Sequence, residues 1–291
     1  MTEEKNILIT GANGFLGSCI TRELHERNRL FVVGRKKPEG IKCEFYYADL
    51  SKGLDTSKFP KKIDWIIHLA AELDMEKINR VDAFNLHVLS TLHLLEYAKS
   101  AKAGKFIYTS TGGVYGEYSD QPFSETMPMN FDVNFYSYTK AIADTLVQRY
   151  SNLFTTIILR PFYIYGGKQD ETRWIMRIIN SVINGSPITL FNKGKNPRLS
   201  VMYIDDFLEA FLKAMKLNRS EIINISGNET RSIKEIAETA GKIIGKKVKF
   251  VYKEDKNVKN RIADISKMKK LLNFEPKTKF EDGMRKLLSL I

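Results

Sequence analysis

Cysteine is scarce: only Cys19 and Cys43 occur in 291 residues, which excludes a scaffold built on disulfides. Neither lies in a CxxC, and the four histidines form no ligand-spaced cluster, so no metal centre is expected. No apolar run approaches the roughly 18–20 residues that a membrane-spanning helix needs. The opening Met1-Thr2-Glu3-Glu4-Lys5 lacks the pattern of a secretory signal, and a reducing cytoplasm is the expected compartment. Internal repeats, low-complexity tracts and an aromatic-plus-basic RNA motif are also missing. Neither nucleic acid nor membrane is therefore an expected partner. Acidic residues are in deficit, 34 against 46 Lys+Arg, for a formal charge of +12, which points to an anionic ligand. Lys246-Lys247 and the lysines of 267–270 read as solvated surface. What is present, 43% hydrophobic and 27% charged residues, suits a globular chain with one large domain or two unequal ones.

Along the amino-terminal half, short apolar strands alternate with amphipathic helices. Strands are expected over 6–10, 29–33, 64–69, 105–108 and 155–159, and helices over 14–27, 81–100 and 135–150. This order implies parallel βαβ units in a doubly wound α/β sheet. Beyond Pro161 turns become denser, with helices expected over 171–183, 232–244 and 265–272. The expected organisation is a Rossmann-type domain over 1–165, to which the chain returns around 200–225, and a smaller α/β substrate lobe over 166–291.

The first strand runs into Gly11-Ala12-Asn13-Gly14-Phe15-Leu16-Gly17, a GxxGxxG at a strand-to-helix junction. The glycines permit a tight turn, close backbone approach to a pyrophosphate and close helix–sheet packing, and the helix amino terminus favours the anion. No Gly-Lys-Ser/Thr follows, so a triphosphatase loop is not indicated. At the end of the second strand stands Gly34-Arg35-Lys36-Lys37. A carboxylate there would bind ribose hydroxyls and favour NAD, whereas Arg35 can pair with a 2′-phosphate and favours NADP.

Tyr136 and Lys140 form a YxxxK at the start of an expected helix, on one face and one turn apart. A phenol titrates near pH 10, and a neighbouring ammonium favours its phenolate, bringing it into range for acid–base work. The spacing alone is uninformative among 13 tyrosines, and Tyr252…Lys256 repeats it in a charged loop. The position is what matters. The preceding strand ends in Tyr108-Thr109-Ser110-Thr111-Gly112-Gly113-Val114-Tyr115-Gly116, which places hydroxyls at a strand's carboxyl end, where doubly wound sheets bind ligands.

These features, with Asp49-Leu50, His68-Leu69-Ala70-Ala71, Asn85, Leu159-Arg160-Pro161, Tyr165-Gly166, Tyr203-Ile204-Asp205-Asp206, Ile223-Asn224-Ile225-Ser226-Gly227 and Asp264-Ile265-Ser266, follow a recognisable order. The chain resembles the extended short-chain dehydrogenase/reductases, specifically the NAD(P)-dependent nucleotide-sugar epimerase/dehydratase family. The resemblance implies that Gly11, Asn13, Gly14, Phe15, Leu16, Gly17, Arg35, Asp49, Leu50, Leu69, Ala70, Ala71, Asn85, Thr109, Tyr136, Lys140 and Pro161 bind the cofactor. Among these, Asp49 and Leu50 flank the adenine and Lys140 contacts the nicotinamide ribose. Thr111 polarises the substrate oxygen while Tyr136 moves its proton. Arg160 and Asp205 are implied to be structural, with Asn224 in a turn before a helix. A homodimer through the helices over 81–100 and 135–150 is also implied.

The chain departs from that pattern where Gly112 and Gly113 stand in place of the Asp–Glu pair of the 4,6-dehydratases, so dehydration is disfavoured. Tyr163, which replaces an Asn near the diphosphate, is with Thr111, Arg198 and Arg261 an expected substrate contact. His68 reads as a satisfied histidine at a strand end. The favoured expectation is 4-keto reduction of a nucleotide sugar with NADPH in carbohydrate biosynthesis. The alternative is a 4-epimerase with bound NAD, and a distant one is a non-catalytic NADP-sensing scaffold.

Overall fold

The computed structural model describes residues 4–116, 119, 121–191, 197–254 and 260–291. Residues 1–3 and Lys256, of the second Tyr–Lys spacing, lie outside them. The chain divides into two compact units: Met1–Gly116, Pro128–Arg160 and Leu212–Ile223 form the first, and Glu117–Met127, Pro161–Phe211 and Asn224–Ile291 the second. Among the described residues no helix is long and apolar enough to cross a membrane.

In chain order the first half carries β1 (Asn6–Thr10), α1 (Phe15–Leu24), β2 (Arg29–Gly34), β3 (Glu44–Tyr47) and β4 (Trp65–His68). A continuous helical stretch follows: α2 (Arg80–Phe84), a π-helical turn (Asn85–Leu89) and α3 (Ser90–Ser100). Next come β5 (Lys105–Thr109), α4 (Phe135–Arg149) and β6 (Thr155–Pro161). The remainder carries β7 (Tyr163–Tyr165), α5 (Trp174–Ile183), β8 (Ile188–Phe191), β9 (Arg198–Tyr203), α6 (Ile204–Ala214), β10 (Glu221–Ile225), β11 (Glu229–Ser232), α7 (Ile233–Ile244), β12 (Phe250–Lys253), α8 (Ser266–Leu272) and α9 (Phe280–Leu288).

The seven-stranded sheet has the order β10-β6-β5-β4-β1-β2-β3. The pairings β1–β2, β1–β4, β2–β3, β4–β5 and β5–β6 are all parallel. This is the Rossmann-type α/β sheet expected from the alternation of elements. Ile7, Leu8 and Ile9 are fully buried, because a parallel strand covered on both faces must be apolar throughout rather than alternating. The strand order reverses between β1 and β4, which makes their carboxyl ends, Thr10 and His68, the topological switch point where such sheets hold ligands. Polar caps start two of the helices here. Asn79 accepts from the Asp82 N–H ahead of α2, and Asn134 from the Ser137 N–H ahead of α4. Each such cap contributes about 1 kcal/mol.

In the core of the first unit, Arg160 donates to Asp144 at 2.9 and 3.0 Å and to the Tyr115 hydroxyl at 2.8 Å. Its guanidinium is buried, so the arginine implied to be structural is enclosed with its counter-ion.

The second unit contains a three-stranded sheet in the order β11-β9-β7 and a β12–β8 pair. A capping box between Ser232 and Glu235 starts α7, and Gly245 in the left-handed region ends it. Two positions differ from expectation. Asn224 lies in strand β10, not in a turn. It is fully buried, and its amide donates to the carbonyls of Phe123 and Asp264. Of the adjacent aspartates, Asp205 is exposed beside Lys286, whereas Asp206 is buried and accepts from the Thr278 N–H at 2.9 Å. The structural anchor is thus Asp206. Both α6 carboxylates stand in its first turn, and helix periodicity turns only one of them inward.

Candidate active site

At the switch point the glycine turn is sterically committed. Gly11 has φ +74°, and a β-carbon there would lie 2.6 Å from the Ala70 nitrogen, while one at Gly17 would lie 2.0 Å from the Gly11 carbonyl oxygen. The turn therefore packs directly on Ala70 of the segment after β4. Gly14 starts α1 in extended conformation without a side-chain cap, and no acidic residue sits in the first turn. Such a helix start suits a pyrophosphate. Asn13 donates to the Lys36 carbonyl at 2.6 Å, tying the turn to the loop after β2.

That loop exposes Arg35. Nearby, Asp49 accepts from the hydroxyl and N–H of Ser51 at 2.7 and 3.0 Å. The Ser51 hydroxyl is the main cause holding the Asp49 carboxyl below its ordinary value, with smaller contributions from Arg35 and Lys52. Leu50 is buried beside it. Asn85, in the π-helical turn, donates to the Ser51 carbonyl at 3.0 Å. The structure thus places Asn85 behind the Asp49–Ser51 turn, which it steadies.

The Tyr–Lys pair sits at the start of α4. Lys140 is buried, donates to the Thr109 carbonyl at 2.7 Å and lies 4.1 Å from the centre of the Tyr108 ring. Burial pulls its ammonium down from the ordinary lysine value to about 7, with Asp144 acting in the opposite sense. Thr111 accepts from the Gly113 N–H at 3.1 Å. Its own hydroxyl proton therefore stays available to an outside oxygen. A β-carbon at Gly113 would stand 2.5 Å from Ser137 Oγ and 3.5 Å from Thr111 Oγ1. Thr111 and the first turn of α4 thus meet across Gly113, where only a glycine fits undisturbed. Three more hydroxyls at this strand end, those of Tyr108, Thr109 and Ser110, are buried without a hydrogen-bond partner. Buried polar atoms left unsatisfied in this way mark a place built for a polar ligand. Together with the glycine turn they fit the polar parts that a bound dinucleotide would bring.

Sequence reasoning missed a buried relay under this site. Thr10 Oγ1 lies 2.6 Å from His68 Nδ1, and His68 Nε2 lies 3.0 Å from Thr91 Oγ1. The Thr91 hydroxyl donates to the His87 carbonyl at 2.6 Å. His87 in turn reaches Thr139 and Glu72. Burial is the main cause holding both imidazoles below their usual titration range, His87 at about 3, with the Lys140 charge adding to it. His68 is the satisfied histidine expected. No spacing in the sequence marks His87.

The remaining candidates belong to the second unit. Pro161 ends β6 and opens that unit. Arg261 donates to the Tyr163 hydroxyl at 2.8 Å, and the Tyr163 ring packs edge-on against Trp174 at 5.2 Å. Arg198 donates to Thr230 Oγ1 and to the Thr230 carbonyl at 2.8 and 2.7 Å, and meets Glu235 at 3.3 Å. Its fork is largely occupied within its own unit.

Sheet order, glycine turn and helix-borne Tyr–Lys pair together define an extended short-chain dehydrogenase/reductase architecture. Within that class, residues 7–226 match the profile of the NAD dependent epimerase/dehydratase family, and the chain belongs to it. It is 32% identical over 310 residues to a UDP-glucuronate 4-epimerase of Thermodesulfobacterium geofontis, covering 97% of this chain and 94% of the relative. It is 29% identical over 301 residues to a putative UDP-glucose 4-epimerase of Methanocaldococcus jannaschii, covering 97% of each. The crystal structure of UDP-glucuronic acid 4-epimerase from Bacillus cereus in complex with NAD superposes with a TM-score of 0.84 at 29% identity, over 98% of this chain and 99% of that one.

Proposed function

We propose that the protein is a UDP-sugar 4-epimerase that keeps its dinucleotide bound through the catalytic cycle, with UDP-glucuronate as the first substrate to test. This reading takes precedence over 4-keto reduction because a 4-epimerase and a putative 4-epimerase are among the similar proteins that cover 97% of the chain. The observation that carries it is the meeting of Thr111 and the first turn of α4 across Gly113. Tyr136, the residue before Ser137 in that turn, is in this reading the second hydroxyl that joins Thr111 at one sugar oxygen. Elimination of water would need a further acid–base pair at a neighbouring carbon, and a side chain at 113 would run into Ser137.

The Thr111 hydroxyl donates to the sugar O4. Tyr136 takes the O4 proton as the alcohol becomes a ketone and returns it when the alcohol is re-formed on the other face. Lys140, one helical turn on, favours the phenolate whenever its amine is charged, and burial makes that charge sensitive near neutral pH. The bound dinucleotide supplies the acceptor, and then the donor, for the hydrogen at C4.

The choice of cofactor within this reading rests on the loop after β2. It presents Arg35 and the lysines beside it, and no carboxylate at the strand end, which favours a 2′-phosphate and hence NADP. The B. cereus neighbour is complexed with NAD. Mass spectrometry of the dinucleotide released from purified protein decides: NADP is expected, and NAD overturns this part of the reading without touching the epimerase part. In the same terms Arg35→Ala is expected to weaken NADPH binding about tenfold more than NADH binding, from the loss of one charge-assisted phosphate contact.

Epimerase activity is tested with UDP-glucuronate and UDP-glucose and no added cofactor. Formation of the C4 epimer by the protein as purified is the expected result. Conversion of a 4-keto sugar that consumes one NADPH per product, without epimerisation, would establish the reductase instead. A homodimer through the helical stretch 81–100 and α4, where Val81, Leu89 and Tyr138 are exposed, is the proposed assembly, and a monomeric mass by light scattering overturns it.

A further inference from the structure

His87 is buried, polar and unassigned, and its ring contacts tie together parts of the first unit that sequence holds far apart. Its Nε2 lies 3.1 Å from the backbone nitrogen of Glu72, and its Nδ1 lies 2.8 Å from Thr139 Oγ1. The Thr139 hydroxyl also donates to the Tyr136 carbonyl at 2.9 Å. The His87 ring meets the Tyr136 ring edge-to-face, 5.6 Å between centres and 87° between planes.

Donor and acceptor roles in this set allow one arrangement. A backbone N–H can only donate, so Nε2 must accept from Glu72 and carry no proton. The proton of the neutral ring then sits on Nδ1. Because the Thr139 hydroxyl proton is committed to the Tyr136 carbonyl, its oxygen is the acceptor for Nδ1–H. The order is Glu72 N–H to His87, His87 to Thr139, Thr139 to Tyr136, each donor used once. The same accounting gives His68 the opposite tautomer. Thr91 spends its hydroxyl proton on the His87 carbonyl, so it must accept from His68 Nε2–H, while Nδ1 accepts from Thr10. Thr10 Oγ1 in turn stands 3.4 Å from the Ala70 nitrogen. The backbone of 70–72, against which the glycine turn packs, is thereby suspended from one histidine at each end.

We infer that His87 is a positioning residue: as an Nδ1-protonated bridge it sets the spacing between the segment 70–72 of the dinucleotide groove and Tyr136 on α4. This rests on the reading of Tyr136 as the proton-transfer residue. The bridge couples the place where the cofactor lies to the place where the proton moves, so that one adjustment shifts both. An imidazole suits the task because its two nitrogens act on opposite sides of a rigid ring. A carboxamide or hydroxyl presents its polar atoms on one side, and a flat apolar ring, slightly larger, keeps the contact with Tyr136 while dropping both bonds.

The test combines a measurement on the unaltered protein with two variants. Nitrogen-15 NMR of histidine-labelled protein at pH 7 is expected to show His87 neutral and protonated at Nδ1, and His68 neutral and protonated at Nε2. An Nε2-protonated or charged His87 overturns the inference. His87→Phe is expected to lower kcat roughly 10–100-fold, the scale of an ångström-level misplacement, with KM for the UDP-sugar within about threefold. The Glu72 amide should exchange its hydrogen faster. His87→Gln, which can still accept from Glu72, is expected to recover part of kcat. Unchanged kcat in a folded His87→Phe variant overturns the inference, as does a His87→Gln variant no better than His87→Phe. Should no UDP-sugar be epimerised at all, the proposed function fails. The NMR tautomer and the dinucleotide Kd of His87→Phe, expected to weaken about fivefold or more, then still decide the role of His87, and an unaltered Kd overturns it.

Discussion

Arg160 in the first unit and Arg198 in the second each face a carboxylate, in opposite surroundings. The Arg160–Asp144 pair is 2% and 0% exposed and sits at 2.9 Å, whereas the Arg198–Glu235 pair is 40% and 41% exposed and sits at 3.3 Å. In the first case loss of one partner strands a charge away from water. In the second, water replaces it. The same contrast runs through the rest of the two units. The histidine–threonine relay of the first unit is buried with donors and acceptors matched, and Lys140, His68 and His87 are each displaced from ordinary titration by burial. The candidate substrate arginines of the second unit lie on partly exposed surface with several partners.

Substitutions that break or sharpen this contrast should differ widely in effect. Tyr136→Phe, at the rigid centre, is expected to lower turnover about 10²–10⁴-fold, with dinucleotide affinity by fluorescence titration little altered. Normal turnover would remove Tyr136 from the chemistry. Asp144→Ala should cost about 3–5 kcal/mol in urea unfolding, since it leaves Arg160 buried and unpaired. Arg198→Ala should cost no more than about 1 kcal/mol in the same measurement. Equal losses would erase the distinction between the units.

Between these lie two smaller effects. Both buried histidines titrate lower in the folded than in the unfolded chain. The unfolded state therefore binds more protons below about pH 6.5, and stability falls as pH drops from there toward 3. Over that window His87 should remove about 1.4 kcal/mol per pH unit, to be read from urea midpoints of the protein and of His87→Phe. The variant should show the shallower acid dependence. Gly113→Ala is expected to reduce kcat about tenfold, through displacement of Ser137 at the start of α4. Adding Ser137→Ala, which removes the clashing oxygen, should restore part of it.

Much of the first unit was legible in the chain. β1 over Asn6–Thr10 and α4 over Phe135–Arg149 coincide with their expected spans to within a residue. Apolar runs and 3.6-residue periodicity report local structure directly. The strand β3, with half its residues exposed, and the short strands β7, β8, β11 and β12 gave no comparable signal. Helices α6 and α9 went unread because no expected strand led into them. Within the candidate site the turn at Gly11–Gly17 and the one-turn spacing of Tyr136 and Lys140 could be placed from spacing alone. Placing Asn85 against Ser51, or Asp206 rather than Asp205 at Thr278, could not.

Local order determined where the chain must bend, where α1 starts and which residues share a turn of α4, because each depends on neighbours within about four residues. Only the tertiary structure decided that His68 and His87 are buried among threonine hydroxyls, that Gly113 abuts Ser137, and that Arg160 is enclosed with Asp144. Those outcomes depend on partners 15 to 58 residues away, brought into contact by the order of strands in the sheet. Their energies come from the exclusion of water, which no stretch of sequence achieves until the sheet and its helices have closed around it.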